Sequence, residues 1–292
     1  MPKVSFSSST RLSAALLTFC IVGAALARAQ NSLTIPSTAS ESAPQTPPNT
    51  SLNDQLLAKA SGIYFSAIRT DLNGFTCDVL PNWRTLLLTS SKGASAATDD
   101  PRITLAQTVK ITLHARLAGG STIDWNPTSD PAHPLDADST SILDSLHTGT
   151  NQSLLGFMQF WTPFVNGSLI PAVSTGLEIT NTEKGHRLRA DVNGTTMTEF
   201  IDDSLILQHF DVVSPTMIVK ITPTFKPTDK GMLVKGFLAR FQAPGVQPDQ
   251  AQEVHVEMEY QNVHDLPIPA RINMDVTNSA TFNFVLDNCS VN

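Results

Sequence analysis

The sequence predicts an α+β fold built on a long, curved antiparallel meander sheet with a few helices beside it. Three observations carry this. From Leu177 to Asn288 the chain is a nearly unbroken series of short runs: LEITNT, HRLRAD, TMTEFI, SLILQHFDVV, TMIVKITPTF, MLVKGFLARF, EVHVEMEY, IPARINMDV and TFNFVLDNC. Short turn signals separate most of them (Glu183-Lys184-Gly185, Val192-Asn193-Gly194, Thr228-Asp229-Lys230-Gly231), and loops this short join only antiparallel neighbours. Helical periodicity is confined to the part of the chain before these runs.

Taken in order, residues 1–29 read as a secretory signal. Lys3 and Arg11 charge its start, Leu12 to Leu26 is mostly apolar, and Ala27-Arg28-Ala29 places small residues ahead of a cut before Gln30. Residues 30–51 are rich in Ser, Thr, Pro and Ala and cannot bury enough surface to fold, so they read as a disordered leader. One domain then fills 52–292. Ser51 caps a first helix, Asp54 reaches back to it, and Leu52, Leu56, Ala60, Ile63, Ala67 and Ile68 share a face to about Arg69. Phe75, Cys77 and Val79 alternate in a strand, Pro81-Asn82 ends it, and a short helix from Trp83 to Leu88 follows. In VKITLHARLAGGSTIDW, Ile111, Leu113, Ala115 and Leu117 point one way, and Gly119-Gly120 turns a hairpin. A Pro- and Asp-rich loop leads to a helical insert near 139–165, which Gly149 and Asn151 are expected to split in two.

Composition excludes several classes. Removing residues 1–29, which hold three basic residues and no acid, takes the net charge from -7 to -10, a poor match to nucleic acid or anionic membrane surfaces. No later segment is apolar for long enough to cross a bilayer, so the expectation is a periplasmic or secreted protein, monomeric and not integral to a membrane. Cys77 and Cys289 are the cysteines left after processing. Export favours a disulfide between them, with two buried free thiols as the other reading. A disulfide closing so long a loop contributes roughly 5 kcal/mol by the chain-entropy treatment.

No catalytic motif is present: there is no G-x-S-x-G, H-E-x-x-H, P-loop or G-x-G-x-x-G, and no cofactor is implied. His255, Glu257 and Glu259 share a strand face at two-residue spacing and suggest a metal or an acid–base pair. The competing reading is a solvated face opposite Val254, Val256, Met258 and Tyr260. Asp136-Ala137-Asp138-Ser139-Thr140 suggests calcium but lacks the bend glycine and distal glutamate, so solvated loop acids are expected. No catalytic and no metal-binding residue is assigned.

What stands out is apolar surface. The inward set on the later strands comprises Val219, Ile221, Phe225, Val256, Met258, Tyr260, Ile272, Met274, Phe282 and Phe284. Lys220, Thr222, His255, Glu257, Arg271, Asn273, Asp275 and Asn283 form the opposite set. The insert adds Phe157, Met158, Phe160, Trp161 and Phe164, apolar around nearly its whole circumference. These residues either fill an ordinary core or line a gap between sheet and helix. Methionines and phenylalanines around a gap adapt to an acyl chain, whose burial gives about 0.8 kcal/mol per CH₂ without any catalytic residue.

With its export signal, amphipathic first helix running into a strand (YFSAIRTDLNGFTCDV), hairpin, Phe/Trp-rich insert, lysine-glycine turn (PTDKGMLVKG) and IPARINMDV strand, the chain from Asn53 to Asn292 resembles the LolA/LolB-type periplasmic lipoprotein carriers. The resemblance implies an unclosed (half) β-barrel with helices covering its concave face. It also implies an exported, non-catalytic carrier of lipid or lipidated protein that meets a membrane-protein partner transiently. The expected ligand-binding residues are Phe157, Met158, Phe160, Trp161, Phe164, Ile221, Phe225, Met258, Tyr260, Ile272, Met274, Phe282 and Phe284, with Trp161 facing the sheet. The alternatives are a structural or adhesive β-module whose apolar face is simply core, and a hydrolase assembled from distant residues.

Overall fold

A computed structural model describes residues 51–67, 73–90, 100–127, 136–166, 170 and 174–291. The expected signal segment, nearly all of the leader, and the Ile68–Arg69 end of the first predicted helix lie outside the described residues.

The meander is one mixed-length antiparallel sheet of twelve strands in the order β3-β2-β1-β12-β11-β10-β9-β8-β7-β6-β5-β4. Its members are β1 (Gly74–Pro81), β2 (Val109–Arg116), β3 (Thr122–Pro127), β4 (Glu178–Thr182), β5 (Gly185–Val192), β6 (Thr195–Ile201), β7 (Leu207–Val213), β8 (Ile218–Thr228), β9 (Gly231–Gln242), β10 (Gln252–Val263), β11 (Leu266–Val276) and β12 (Ala280–Val291). The sheet does not close, and β3 and β4 are its edges. Most strands alternate: on β12, Phe282, Phe284 and Leu286 are buried while Val285 and Asp287 are exposed. The turns match their residues. Asn193 (φ 51°) and Gly194 (φ 78°) both take the left-handed conformation a two-residue hairpin between β5 and β6 requires.

Among the described residues, four α-helices accompany the sheet: α1 (Leu52–Gly62), α2 (Trp83–Ser90), α3 (Pro101–Gln107) and α4 (Ala137–Asn166). Among the described residues, no helix is long and apolar enough to cross a membrane. At the start of α1 the Asp54 amide donates to Ser51 Oγ at 3.1 Å, and Ser51 Oγ donates back to the Asp54 carboxylate at 2.8 Å. The helix ends at Gly62, short of the expected limit, because Ile63 and Phe65 turn their backbones to β9. Met232 N donates to Ile63 O at 2.8 Å and Phe65 N to Met232 O at 3.0 Å. The buried face of α1 is set by Leu57 and Ala60, while Leu52 is 83% exposed.

The expected split of the insert does not occur. α4 runs unbroken for 30 residues. Gly149 is buried within it, and its carbonyl accepts a hydrogen bond from Ser153 Oγ at 2.7 Å, so glycine here serves packing rather than termination. Pro163 also sits inside, one turn from the end, where its ring removes the amide donor that would reach the Gln159 carbonyl without ending the helix. α4 begins two residues earlier than expected because Asp136 caps it: Ser139 N donates to Asp136 Oδ1 at 2.7 Å.

Cys77 on β1 and Cys289 on β12 are joined, with Cα atoms 4.2 Å apart, across the strand pair where β12 carries a bulge opposite Cys77.

Candidate functional site

One face of the sheet and the C-terminal half of α4 share a single apolar cluster. All thirteen residues expected to contact a ligand fall in it. Eleven are buried, and Phe225 and Tyr260 are partly buried and packed against the rest. Alternation along the strands puts Ile221, Met258, Ile272, Met274, Phe282 and Phe284 on this face. The helical period puts Phe157, Phe160, Trp161 and Phe164 on the side of α4 that meets it.

The contact between them is aromatic. Phe160 stacks on Phe237 (5.6 Å between ring centres, 22°) and meets Phe241 edge-on at 6.4 Å. Phe164 stacks on Phe237 at 6.2 Å and lies 6.3 Å from both Phe210 and Phe225. Trp161 meets Phe75 edge-on at 5.9 Å and faces the sheet. Farther toward the start of α4, His147 stacks on Trp125 of β3 at 4.9 Å. Phe237 and Phe241 form part of the floor but went unnamed in the sequence reading, although MLVKGFLARF shows them at alternating positions.

Two phenols inside this layer are held by hydrogen bonds. The Trp161 indole donates to Tyr260 Oη at 3.0 Å, and Tyr260 Oη donates to Val234 O at 2.7 Å, with burial pushing the phenol's pKa upward. Tyr64 Oη accepts from Leu207 N at 2.6 Å and donates to Leu205 O at 3.2 Å; burial pushes its pKa up to about 12. Thr150 Oγ1 and Gln159 Oε1 on α4 are shut off from solvent without a hydrogen-bond partner.

One acid escaped the sequence reading. Glu199 stands on β6 in register with Leu188 on one side and Phe210 on the other, both buried. It shares a strand face with Met197 and Ile201. Its Oε2 has neither solvent nor a hydrogen-bond partner, and burial pushes its pKa up to about 8. The available signal was a glutamate at an apolar position of the TMTEFI alternation.

The remaining candidates lie elsewhere. His255, Glu257 and Glu259 are exposed on the wet face, where His255 Nε2 is 3.9 Å from Glu257 Oε1 and Glu259 is 3.5 Å from Arg271. Among the described residues no three His, Cys, Asp or Glu side chains are grouped to hold a metal ion. Asp136 is spent as a helix cap, and its hydrogen bond from Ser139 N lowers its pKa. A cavity of about 370 Å³ opens on the wet face, lined by Leu80, Arg271, Asn273, Asn283 and Val285 among others. Phe284 is the one expected ligand residue that reaches its lining.

Comparison of the chain with protein-family models, with curated proteins and with solved structures returns no match.

Proposed function

We propose that this is an exported, non-catalytic carrier for a hydrophobic ligand, a lipid or the acyl chains of a lipidated protein. The ligand lies between the apolar face of the sheet and α4, which acts as a lid. The observation that carries the reading is that α4 meets the aromatic face of an unclosed sheet through ring contacts, with the Trp161–Tyr260 hydrogen bond and one from Asn166 Nδ2 to Leu117 O at 2.7 Å beside them. Apolar contacts of this kind are non-directional, so an acyl chain can replace them at small net cost.

Two features support the finer picture of a half-barrel with α4 on its concave side. Strand pairs β1·β12, β10·β11, β6·β7 and β8·β9 each carry a register shift, and bulges of this sort bend and twist a sheet. Phe75 and Phe210 also lie on strands six steps apart, roughly 29 Å across a flat sheet. Their rings nonetheless meet Trp161 and Phe164, three residues apart on α4. A sheet curved toward the helix is what this reading expects of the strands between them.

The rival reading, a structural β-module, draws on the completeness of burial: Phe157, Ile221 and Ile272 are 0% exposed, as in an ordinary core. Native mass spectrometry of protein purified from its source, paired with titration of a hydrophobic dye, separates the two. A co-purifying acyl-chain ligand supports the carrier. An empty protein that also refuses the dye while folded overturns it.

A further inference from the structure

We infer that Glu199 is the polar anchor of this apolar interior and selects amphiphiles whose head group is a protonated amine. The inference rests on the carrier reading and adds the chemistry of the ligand's head. Glu199, half-buried as a whole, faces the same side as its cross-strand partners Leu188 and Phe210, and one of its two oxygens, Oε2, is shut off from solvent with no donor. An acceptor left unmatched in an apolar setting is costly, and a carboxylate more so, unless something arrives to pair with it.

The neighbouring polar groups do not pair with it. Tyr64, close enough for its hydroxyl to feel the charge of Glu199, has Oη engaged with Leu207 N and Leu205 O. Asp202, just beyond β6, is engaged with the amides of Ser204 and Ile206 and with Gln208, and a second acid supplies no counter-charge. On β5, His186 lies two residues from Leu188 and is turned to Asn181 at 2.9 Å. From β7, the facing side chains Leu207, Phe210 and Val212 are apolar.

An alkylammonium head satisfies both needs of this oxygen, supplying a donor and the opposite charge. A hydroxyl supplies the donor alone. A fatty-acid carboxylate can only accept the proton Glu199 retains and supplies neither a donor nor a counter-charge, so it is the weaker partner. Because burial keeps Glu199 protonated near neutrality, pairing with an ammonium expels its proton. Amine binding therefore tightens as pH rises from 6 to 8, and alcohol binding does not.

The test is calorimetric titration of the purified protein with dodecylamine, dodecanol and dodecanoate below their aggregation limits. Dodecylamine is expected to bind about tenfold or more tighter than dodecanoate, the worth of one charge-assisted hydrogen bond. At pH 7 it should release about one proton per ligand, read from heats in buffers of different ionisation enthalpy. Glu199→Gln keeps shape and removes the charge: it should erase the amine preference and proton release, its amide oxygen still able to accept from a hydroxyl. Glu199→Leu, compared at equal folded fraction, should likewise erase the amine preference and the proton release. If either variant keeps the preference, or the wild type takes dodecanoate best, the anchor role is overturned and the carrier reading stands. If the wild type binds none of the three, the carrier reading falls and this inference with it.

Discussion

Trp161 and Tyr260 are tied across the interior: the indole N–H donates to the phenol oxygen at 3.0 Å, and the phenol passes its own proton to Val234 O at 2.7 Å. α4 is thereby hydrogen-bonded to two strands of the sheet through a single hydroxyl. Tyr260→Phe strands a buried indole N–H and removes the carbonyl's side-chain donor. We expect a loss of about 1–3 kcal/mol in urea unfolding, with a change in tryptophan emission of the folded protein.

A charged residue at Trp161 separates the two functional readings. If α4 is a lid, Trp161→Asp reduces ligand binding by more than its effect on stability accounts for. If Trp161 is core alone, the fold loses about 3 kcal/mol or more and the protein that remains folded binds as before. Paired melting and binding measurements on the same preparation decide.

The disulfide joins strands that already hydrogen-bond, so its contribution lies in the unfolded chain, where it fixes positions 212 residues apart. Cys77→Ala with Cys289→Ala should cost roughly 5 kcal/mol less any strain relieved, seen as a lower denaturation midpoint. A thiol titration of the denatured, processed protein should find neither cysteine reactive; two reactive thiols would refute the bond.

Glu199 gives stability a pH dependence of known sign. Its folded pKa is about 8 and its ordinary value 4.5. Below 4.5 both states hold the proton and nothing is lost. Between 4.5 and 8 the unfolded chain releases it and the folded chain keeps it, so stability falls as pH rises, by on the order of 4 kcal/mol at most. Glu199→Gln should flatten that slope in melts from pH 4.5 to 8. Asp54, held at about 2 chiefly by its hydrogen bond to Ser174, acts below this window and in the opposite direction: its stabilisation is lost as pH falls.

Two glycines should respond oppositely to alanine. Gly231 has φ +114°, and a Cβ there would sit 2.8 Å from Ile63 O and from Tyr64 C, where the chain after α1 pairs with β9. Gly231→Ala should destabilise by about 2–3 kcal/mol. Gly62, the last residue of α1, has nothing within 4 Å of an added Cβ, and Gly62→Ala should stabilise by about 0.5–1 kcal/mol. Thermal melts of the two variants suffice.

The strands of the meander were legible because a half-buried strand writes itself as period-two alternation and its turns as Asn-Gly or Lys-Gly. Helix limits were not, because tertiary contacts set them. Gly62 ends α1 where Met232 captures the next residues, whereas Gly149 passes unnoticed inside α4. The α1 face was misjudged through Leu52, which satisfies the spacing yet stands in solvent, while Leu57 is buried. α3 went unread although Asp100-Pro101 is a capping signal, with Asp100 accepting from Arg102 N at 2.9 Å. At the site, the apolar lining was visible as composition. Glu199 was hidden by the habit of placing charge on the wet face, and only register with Leu188 and Phe210 reveals which way it points.

The strand order also sets a timetable for assembly. From β4 to β12 every strand pairs with the one made just before it, so this part can zip up in sequence. β1 is different: it pairs with β2 on one side and with β12 on the other. The hairpin of β2 and β3, and β1 beside it, therefore wait through the synthesis of nine strands before their place in the sheet exists. Such long-separated pairings are slow to close and leave an open edge meanwhile. The joining of Cys77 to Cys289 then fixes β1 beside β12, and a chain halted before β12 leaves that edge of β1 without its strand partner.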